Sequence, residues 1–132
     1  MTNQDKELLL KDLCGRLYYG VKFHYFSEFA DGEDPEFDNT IVMIDMADEQ
    51  ILDEDHEDYI PIRQIVPYLR PLSSMTDEED KEFALLQTDF YVDGFLYPIA
   101  AVNMINWLNK HHFDYNGLIE KGLALEAPKD MY

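Results

Sequence analysis

The sequence is poor in basic residues, with 10 Lys and Arg against 28 Asp and Glu and a formal net charge of −18. A domain that grips nucleic-acid phosphates needs a basic face, so this scarcity excludes direct binding to nucleic acid. It also excludes attraction to an anionic membrane surface. The longest apolar runs, such as residues 98–102, are too short to cross a bilayer.

Cysteine is almost missing as well. Cys14 is the single one, so no intrachain disulfide can form, and the sequence predicts a reducing, cytoplasmic setting. Residues 1–7 lack the basic start and apolar stretch of a signal peptide. Because Cys14 ends an apolar helical pattern, we expect it to be a small buried side chain rather than a catalytic thiol.

The familiar signatures of catalysis are also missing. The chain has no Gly-rich phosphate loop, no Gly-x-Ser-x-Gly and no His-Glu-x-x-His. Asp53, Asp55 and Glu57 have the spacing of a calcium loop, but Asp58 stands where that loop needs Gly and Gln64 where it needs Glu. The sequence therefore predicts no catalytic group, no cofactor and no metal site.

The chain is nevertheless rich in apolar residues, at 46% hydrophobic and 14% aromatic, which is too many for a disordered acidic tail. This composition predicts one compact domain over 1–132, in which 1–71 form a helix and a β part. Residues 72–132 then form a helical part and a tail that pack on it. The spacing of Leu9, Leu10 and Leu13 predicts a helix over 3–14 that stops at Gly15.

Alternating apolar residues from Val21 predict a strand, and the β-branched segment 40–46 predicts a central strand. Proline-rich residues 61–71 predict a short edge segment. A capping box at Thr76 and Glu79 predicts a helix over 77–87, and the apolar spacing of 99–108 predicts another that ends near His111. The fold class is therefore α+β, with an N-terminal helix, a small bent antiparallel sheet, two helices and an ordered tail. An SH3-like partial barrel is one arrangement of that sheet.

Three segments carry a resemblance to a known group. They are 8–17 (LLLKDLCGRL), 67–76 (PYLRPLSSMT) and 107–128, which contains WLNKHHFDY and GLIEKGLALEAP. Together they resemble small uncharacterised acidic proteins of gut anaerobes, their prophages and other mobile elements. The resemblance implies a mobile-element setting and no activity, because the group has no established one. Residues 21–59 do not match it in detail.

The acids are not spread evenly. From Glu28 to Asp58 there are fourteen acids and no Lys or Arg, and we call this set the acidic belt. Its single-sign field attracts a basic protein and repels nucleic acid. It is interpreted either as a mimic of a nucleic-acid backbone or as a solvated, solubilising face. The candidate partner-binding members are Glu33, Asp34, Glu36, Asp38, Asp53, Glu54, Asp55, Glu57 and Asp58.

Two further surfaces give alternative functions. One is a candidate pocket for a ligand or an enzymatic site around 107–115, although such aromatics are also typical of a core. The other is the aromatic segment Phe90 to Tyr97, which predicts a homodimer interface in an assembly module. The leading hypothesis is a non-enzymatic acidic protein-binding module of a mobile element or phage. The pocket residues are Arg70, Trp107, His111, His112, Asp114 and Tyr115.

Overall fold

The computed structural model describes residues 1–27, 35–55, 58–88, 91–92, 95–96 and 98–132. Helix α1 spans Asn3–Arg16 and begins at a capping box. The backbone N–H of Asp5 donates to Thr2 Oγ1 at 3.0 Å, and that of Thr2 donates to Asp5 Oδ2 at 3.1 Å. The predicted N-terminal helix is confirmed, with the cap at the predicted place.

Gly15 does not end α1, contrary to the prediction from sequence. The helix continues to Arg16, a 3₁₀ turn follows at Leu17–Tyr19, and Gly20 ends it with φ at 72°. Glycine at position 15 instead permits a close approach, because a Cβ there would lie 3.1 Å from Asn109 Nδ2 of the third helix. Gly20 is the residue that supplies the left-handed stop.

The main sheet has six strands in the order β4-β3-β2-β1-β5-β8. These are β1 (Lys22–Tyr25), β2 (Phe37–Asp45), β3 (Gln50–Asp53), β4 (Ile60–Pro61), β5 (Ile65–Leu69) and β8 (Leu125–Glu126). Strands β1 to β5 pair antiparallel, and β8 pairs parallel to β5. The α+β class is confirmed, with a sheet that is mixed because the C-terminal tail adds a strand. The SH3-like arrangement stays a prediction.

Strand β5 is not the edge segment that its prolines predicted. It lies between β1 and β8, and Pro67 is opposite Phe23 of β1. Strand β8 pairs with Tyr68 and Leu69 but not with Pro67. Pro67, which has no N–H to donate, therefore has a paired strand on one side only. The central position of β2 and the burial of Val21, Phe23 and Tyr25 on one face agree with the predictions.

Helix α2 spans Asp77–Thr88 and helix α3 spans Pro98–Lys110, joined through a hairpin of β6 (Tyr91–Val92) and β7 (Phe95–Leu96). The predicted box at the start of α2 is confirmed, with Glu79 N–H donating to Thr76 Oγ1 at 3.1 Å. No helix in the described ranges is both long and apolar enough to span a membrane. The segment Phe90 to Tyr97, for which the sequence predicts a homodimer interface, lies partly outside the described residues.

The apolar residues that predicted α3 do not share one environment. Ala100, Trp107 and Leu108 are buried, whereas Ile99, Val102 and Ile105 are 62%, 50% and 42% exposed. Two apolar stripes run along this helix, and spacing alone does not choose between them. The stripe that carries Trp107 packs inward, and the other faces outward.

Two clusters form the core. The larger lies between α1, the sheet and the tail, and includes Leu9, Leu13, Phe23, Ile51 and Leu118. The smaller joins α2 and α3 through buried Trp107, Leu108 and Phe113, with Phe83 and Leu86 packed against it. The tail therefore packs into the cluster built by the N-terminal half. The single-domain organisation over 1–132 stays a prediction.

A buried ion pair lies beside the larger cluster. Arg16 Nε donates to Asp12 Oδ1 at 2.6 Å, and neither side chain is exposed. Asn116 Nδ2 donates to Asp12 Oδ2 at 2.8 Å, which ties α1 to the tail. Leu9, Asp12 and Arg16 lie on the buried face of α1. Cys14 lies off that face and is exposed. The expectation of a buried cysteine is therefore wrong.

Candidate functional site

The described candidate partner-binding members of the acidic belt lie at one end of the main sheet, whereas Asp45, Asp48 and Glu49 lie at the opposite end, around the β2–β3 turn. Antiparallel pairing of β2 with β3 places the start of β2 at the same end of the sheet as the end of β3, and residues 39–41 lie beside residues 53–55. Asn39 Nδ2 donates to Asp55 Oδ2 at 3.1 Å, and the Glu54 N–H donates to the Thr40 carbonyl at 3.1 Å. Asp58 precedes β4 at the same end. The predicted members Glu33, Asp34 and Glu57 lie outside the described residues.

Most of the described members at this end face solvent without a lysine or arginine partner. Among the residues that the structure describes, no Lys or Arg forms an ion pair with Glu54, Asp55 or Asp58, or with Glu36 and Asp38. All five are exposed. Their negative charge is therefore not cancelled by a nearby lysine or arginine.

Asp53 differs from the other belt members because it is only 6% exposed. Its Oδ1 accepts the backbone N–H of Asp55 at 3.1 Å. The burial follows from register, since Ile51 and Asp53 alternate onto the inner face of β3. This carboxylate is thus not part of the open acidic surface that the sequence predicted.

His24 is a member of this site that the sequence pattern did not indicate. Its Nδ1 is 2.8 Å from Asp38 Oδ1 and its Nε2 is 3.1 Å from Glu36 Oε2. Tyr68 Oη donates to the same Asp38 oxygen at 2.9 Å. Partial burial lowers the pKa of His24, but hydrogen bonds and charge from Asp38 and Glu36 outweigh it and raise the pKa above 6.5. Only the register of β1 against β2, which puts His24 opposite Asp38, could have shown this.

A cavity of about 290 Å³ opens at the same end of the sheet. Tyr25 and Phe37 line it as a stacked pair with ring centroids 4.9 Å apart. Asp53 and Asp58 also line it, with Gln64 beside them. The arrangement combines aromatic rings and carboxylates, which are the groups that bind organic cations.

The six residues of the second candidate site divide into two groups. Two of them, Arg70 and His111, contact Glu79, whose carboxylate binds Arg70 at 2.7 and 2.8 Å and lies 3.5 Å from His111 Nδ1, and Trp107 joins this group through His111. The Trp107 ring stacks 5.7 Å from Phe113, and its centroid is 4.4 Å from that of His111. The Arg70 hydrogen bond is the main reason that the pKa of Glu79 falls to about 2.

The other three residues serve separate contacts. His112 stacks on Tyr132 with centroids 3.5 Å apart, and Tyr115 Oη donates to Asn109 Oδ1 at 2.6 Å. Asp114 accepts the backbone N–H groups of residues 118 and 119 at 2.9 and 3.0 Å. A cavity of about 540 Å³ lies nearby. Arg70 is the one of the six candidate residues that lines it. The six side chains therefore do not converge on one pocket, and they contribute mainly to packing and turn formation.

No group of three or more His, Cys, Asp or Glu in the described part of the chain is arranged to hold a metal ion. No family model, curated protein or solved structure matches this chain.

Proposed function

We propose that this protein is a non-enzymatic binding module of a mobile element or phage whose acidic belt engages a basic protein partner in the cytoplasm. The observation that carries the proposal is the placement of five exposed carboxylates, those of Glu36, Asp38, Glu54, Asp55 and Asp58, at the end of the sheet where β2 begins, β3 ends and β4 begins. Among the described residues, Glu54, Asp55 and Asp58 have no ion-pair partner, so a basic surface can approach these three without first breaking an ion pair, whereas Glu36 and Asp38 already contact His24. The mobile-element setting rests on the sequence resemblance, and the cytoplasmic setting on the single cysteine.

The partner that fits such a surface is a protein with a basic groove, including one that normally holds nucleic acid. Exposed carboxylates on a rigid sheet end resemble a run of phosphates in charge. A net charge of −18 also raises the rate of encounter with a basic groove. Binding of this kind weakens as salt screens the opposed charges.

The test compares two variants that carry the same change in charge at different places. The belt variant is Glu54→Lys with Asp55→Lys, and the control variant is Glu78→Lys with Glu120→Lys, all four residues being exposed. Affinity capture from the native host, followed by reconstitution with the purified partner, gives a dissociation constant for each. We expect the belt variant to bind about tenfold more weakly or worse, and the control to bind nearly as tightly as the parent.

Titration with salt provides the second arm of this test. The affinity of the parent should fall steadily with ionic strength, and that of the belt variant should depend on it less. Equal losses in the belt and control variants would overturn the proposal, since the effect would then reflect total charge alone. Binding that does not respond to salt would overturn it as well.

A second candidate function is homo-oligomeric assembly, and the outward stripe of α3 favours it. Ile99, Val102 and Ile105 are exposed, and Lys110 is the one charged residue of that helix. This stripe therefore contributes no carboxylate of its own to a contact between two copies of the chain.

Light scattering after size exclusion tests the assembly candidate. If the parent is a dimer, Ile99→Gln with Val102→Gln should convert it to a monomer. The matched control is Tyr18→Gln with Met43→Gln, which removes two exposed apolar side chains elsewhere and should leave the dimer intact. A parent that is monomeric at high concentration rules this candidate out.

A further inference from the structure

The 290 Å³ cavity at the belt end of the sheet has a wall made by two aromatic rings. Tyr25 and Phe37 are opposite each other on β1 and β2, and their rings stack at 4.9 Å with an interplanar angle of 25°. Tyr25 is buried, whereas Phe37 is 38% exposed. Phe37 therefore gives the wall an accessible aromatic surface at the mouth of the cavity.

Two carboxylates complete the cavity at different depths. Asp53 lies on the inner face of β3 and is almost fully buried, while Asp58 is exposed before β4. The described lining contains no Lys, Arg or His. Because charges interact more strongly away from bulk water, a cavity with this lining favours a cation over a neutral or anionic group.

We propose that this cavity binds an arginine side chain supplied by the basic partner. The inference rests on the proposed function and names the group that the belt recognises. A guanidinium is planar, so it can stack on the exposed ring of Phe37 while its N–H groups donate to the carboxylates of Asp53 and Asp58. A volume of about 290 Å³ is small for a cofactor site and suits one long side chain.

Lysine is the competing occupant, and it differs from arginine in a way that can be measured. Its ammonium is a compact, strongly hydrated point charge, and it does not stack on a ring as a planar group does. The aromatic wall therefore favours arginine, whereas the open part of the belt accepts either residue.

The experiment titrates isotope-labelled protein with three small probes and follows the amide signals by NMR. The probes are the acetylated amides of arginine, lysine and citrulline, the last being a neutral analogue of arginine with nearly the same shape. We expect the arginine probe to move the signals of residues 25, 37 and 58–60, and the citrulline probe to leave them in place. Tighter or equal binding of the lysine probe would overturn the assignment to arginine.

Two variants test the cavity itself. Phe37→Leu keeps an apolar side chain and removes the ring, and we expect it to weaken the arginine probe about threefold. Asp58→Asn changes an exposed side chain, and we expect a similar loss. No change in either folded variant, or equal binding of citrulline, would overturn the inference.

The two proposals can fail separately. If Glu54→Lys with Asp55→Lys abolishes partner binding while Phe37→Leu leaves it unchanged, the belt binds a basic partner and the cavity does not bind its arginine. If the arginine probe binds in the cavity but the belt variant keeps full partner affinity, the proposed function fails, and so does the claim that a partner of the belt supplies the arginine.

Discussion

Arg70 and Glu79 form a bidentate ion pair that joins the end of β5 to the first turn of α2. Arg70 Nη1 lies 2.8 Å from Glu79 Oε2, and Nη2 lies 2.7 Å from Oε1. The guanidinium also lies over the ring of Phe113, with Cζ 4.2 Å from its centroid. One side chain thus connects the sheet, α2 and the segment that follows α3.

Replacing the carboxylate of Glu79 should therefore destabilise the whole fold. We expect Glu79→Gln to lower the free energy of unfolding by about 2 kcal/mol, because the half-buried guanidinium of Arg70 loses its charged partner. Urea denaturation measures the change. Glu82→Gln is the matched control, because Glu82 accepts one hydrogen bond, from Trp107 Nε1, and glutamine can still accept it.

The same substitution should change the response to acid. The pKa of Glu79 falls from 4.5 to about 2 in the folded protein, so its contribution is present above pH 4.5 and is lost as pH falls toward 2. The difference in stability between the parent and Glu79→Gln should shrink over that window. A constant difference would contradict this account of the ion pair.

These two residues also show how far the sequence could predict the structure. Glu79 stands three residues after Thr76, so the capping box was visible as a local pattern. The bond between Glu79 and Arg70 was not visible in the sequence, because that contact depends on how β5 and α2 are oriented relative to each other. Likewise, β8 was missed because its parallel pairing joins Tyr68 to Leu125, far apart in sequence and without any local period.

The candidate site was likewise only partly predictable from the sequence. Composition alone located the acidic belt, since fourteen acids without a lysine or arginine are visible in the sequence. The approach of 39–41 to 53–55, the burial of Asp53 and the contacts of His24 all depend on strand register. The cavity beside Phe37 is lined by residues of four strands, β1 to β4, so no pattern within one segment could indicate it.

The buried pair of Asp12 and Arg16 leads to a second prediction. Arg16→Met should lower the free energy of unfolding by about 3–5 kcal/mol, because it leaves the carboxylate of Asp12 buried without its cation. Adding Asp12→Leu to Arg16→Met should recover much of that loss. Lys11→Met is the control, since Lys11 pairs with Glu7 at the surface and should cost less than about 1 kcal/mol. A double variant no more stable than Arg16→Met would contradict the charge argument.

His24 should make the belt end of the sheet sensitive to a rise in pH beyond 6.5. Its pKa is raised in the folded protein because Glu36 and Asp38 each face one ring nitrogen, outweighing the effect of partial burial. Its stabilising contribution is therefore fully present below pH 6.5 and is lost as pH rises through the folded pKa. Tyr68 Oη, which also binds Asp38, is the other titratable group that faces this cluster.

The measurement for His24 is a set of urea midpoints across this pH range. His24→Gln removes the titration, so its stability should approach that of the parent as pH rises. An NMR titration of the ring should give a pKa above 6.5. A lower value would show that burial, rather than the two carboxylates, controls this histidine.

The pKa of His112 is shifted downward, opposite to that of His24, so His112 should make the protein less stable as pH falls. It is buried, its ring stacks on Tyr132 at 3.5 Å, and its Nδ1 has no hydrogen-bond partner among the described residues. Burial, followed by the charge of Arg16, lowers its pKa to about 4, so the folded protein holds the ring neutral. In the unfolded chain the ring takes up a proton below pH 6.5, so stability is lost as pH falls from about 6.5 to 4, by ~3 kcal/mol in total.

His112→Asn tests this without straining the backbone, because asparagine tolerates the positive φ of 62° at this position. At neutral pH the variant should be less stable than the parent, since it loses the stack on Tyr132. Between about pH 6.5 and 4.5 its stability should fall less steeply than that of the parent, in a window that lies above the titration of Glu79. If the stability of the two proteins falls equally steeply with pH in that window, His112 is protonated in the folded state. The prediction of a neutral, stacked ring would then be wrong.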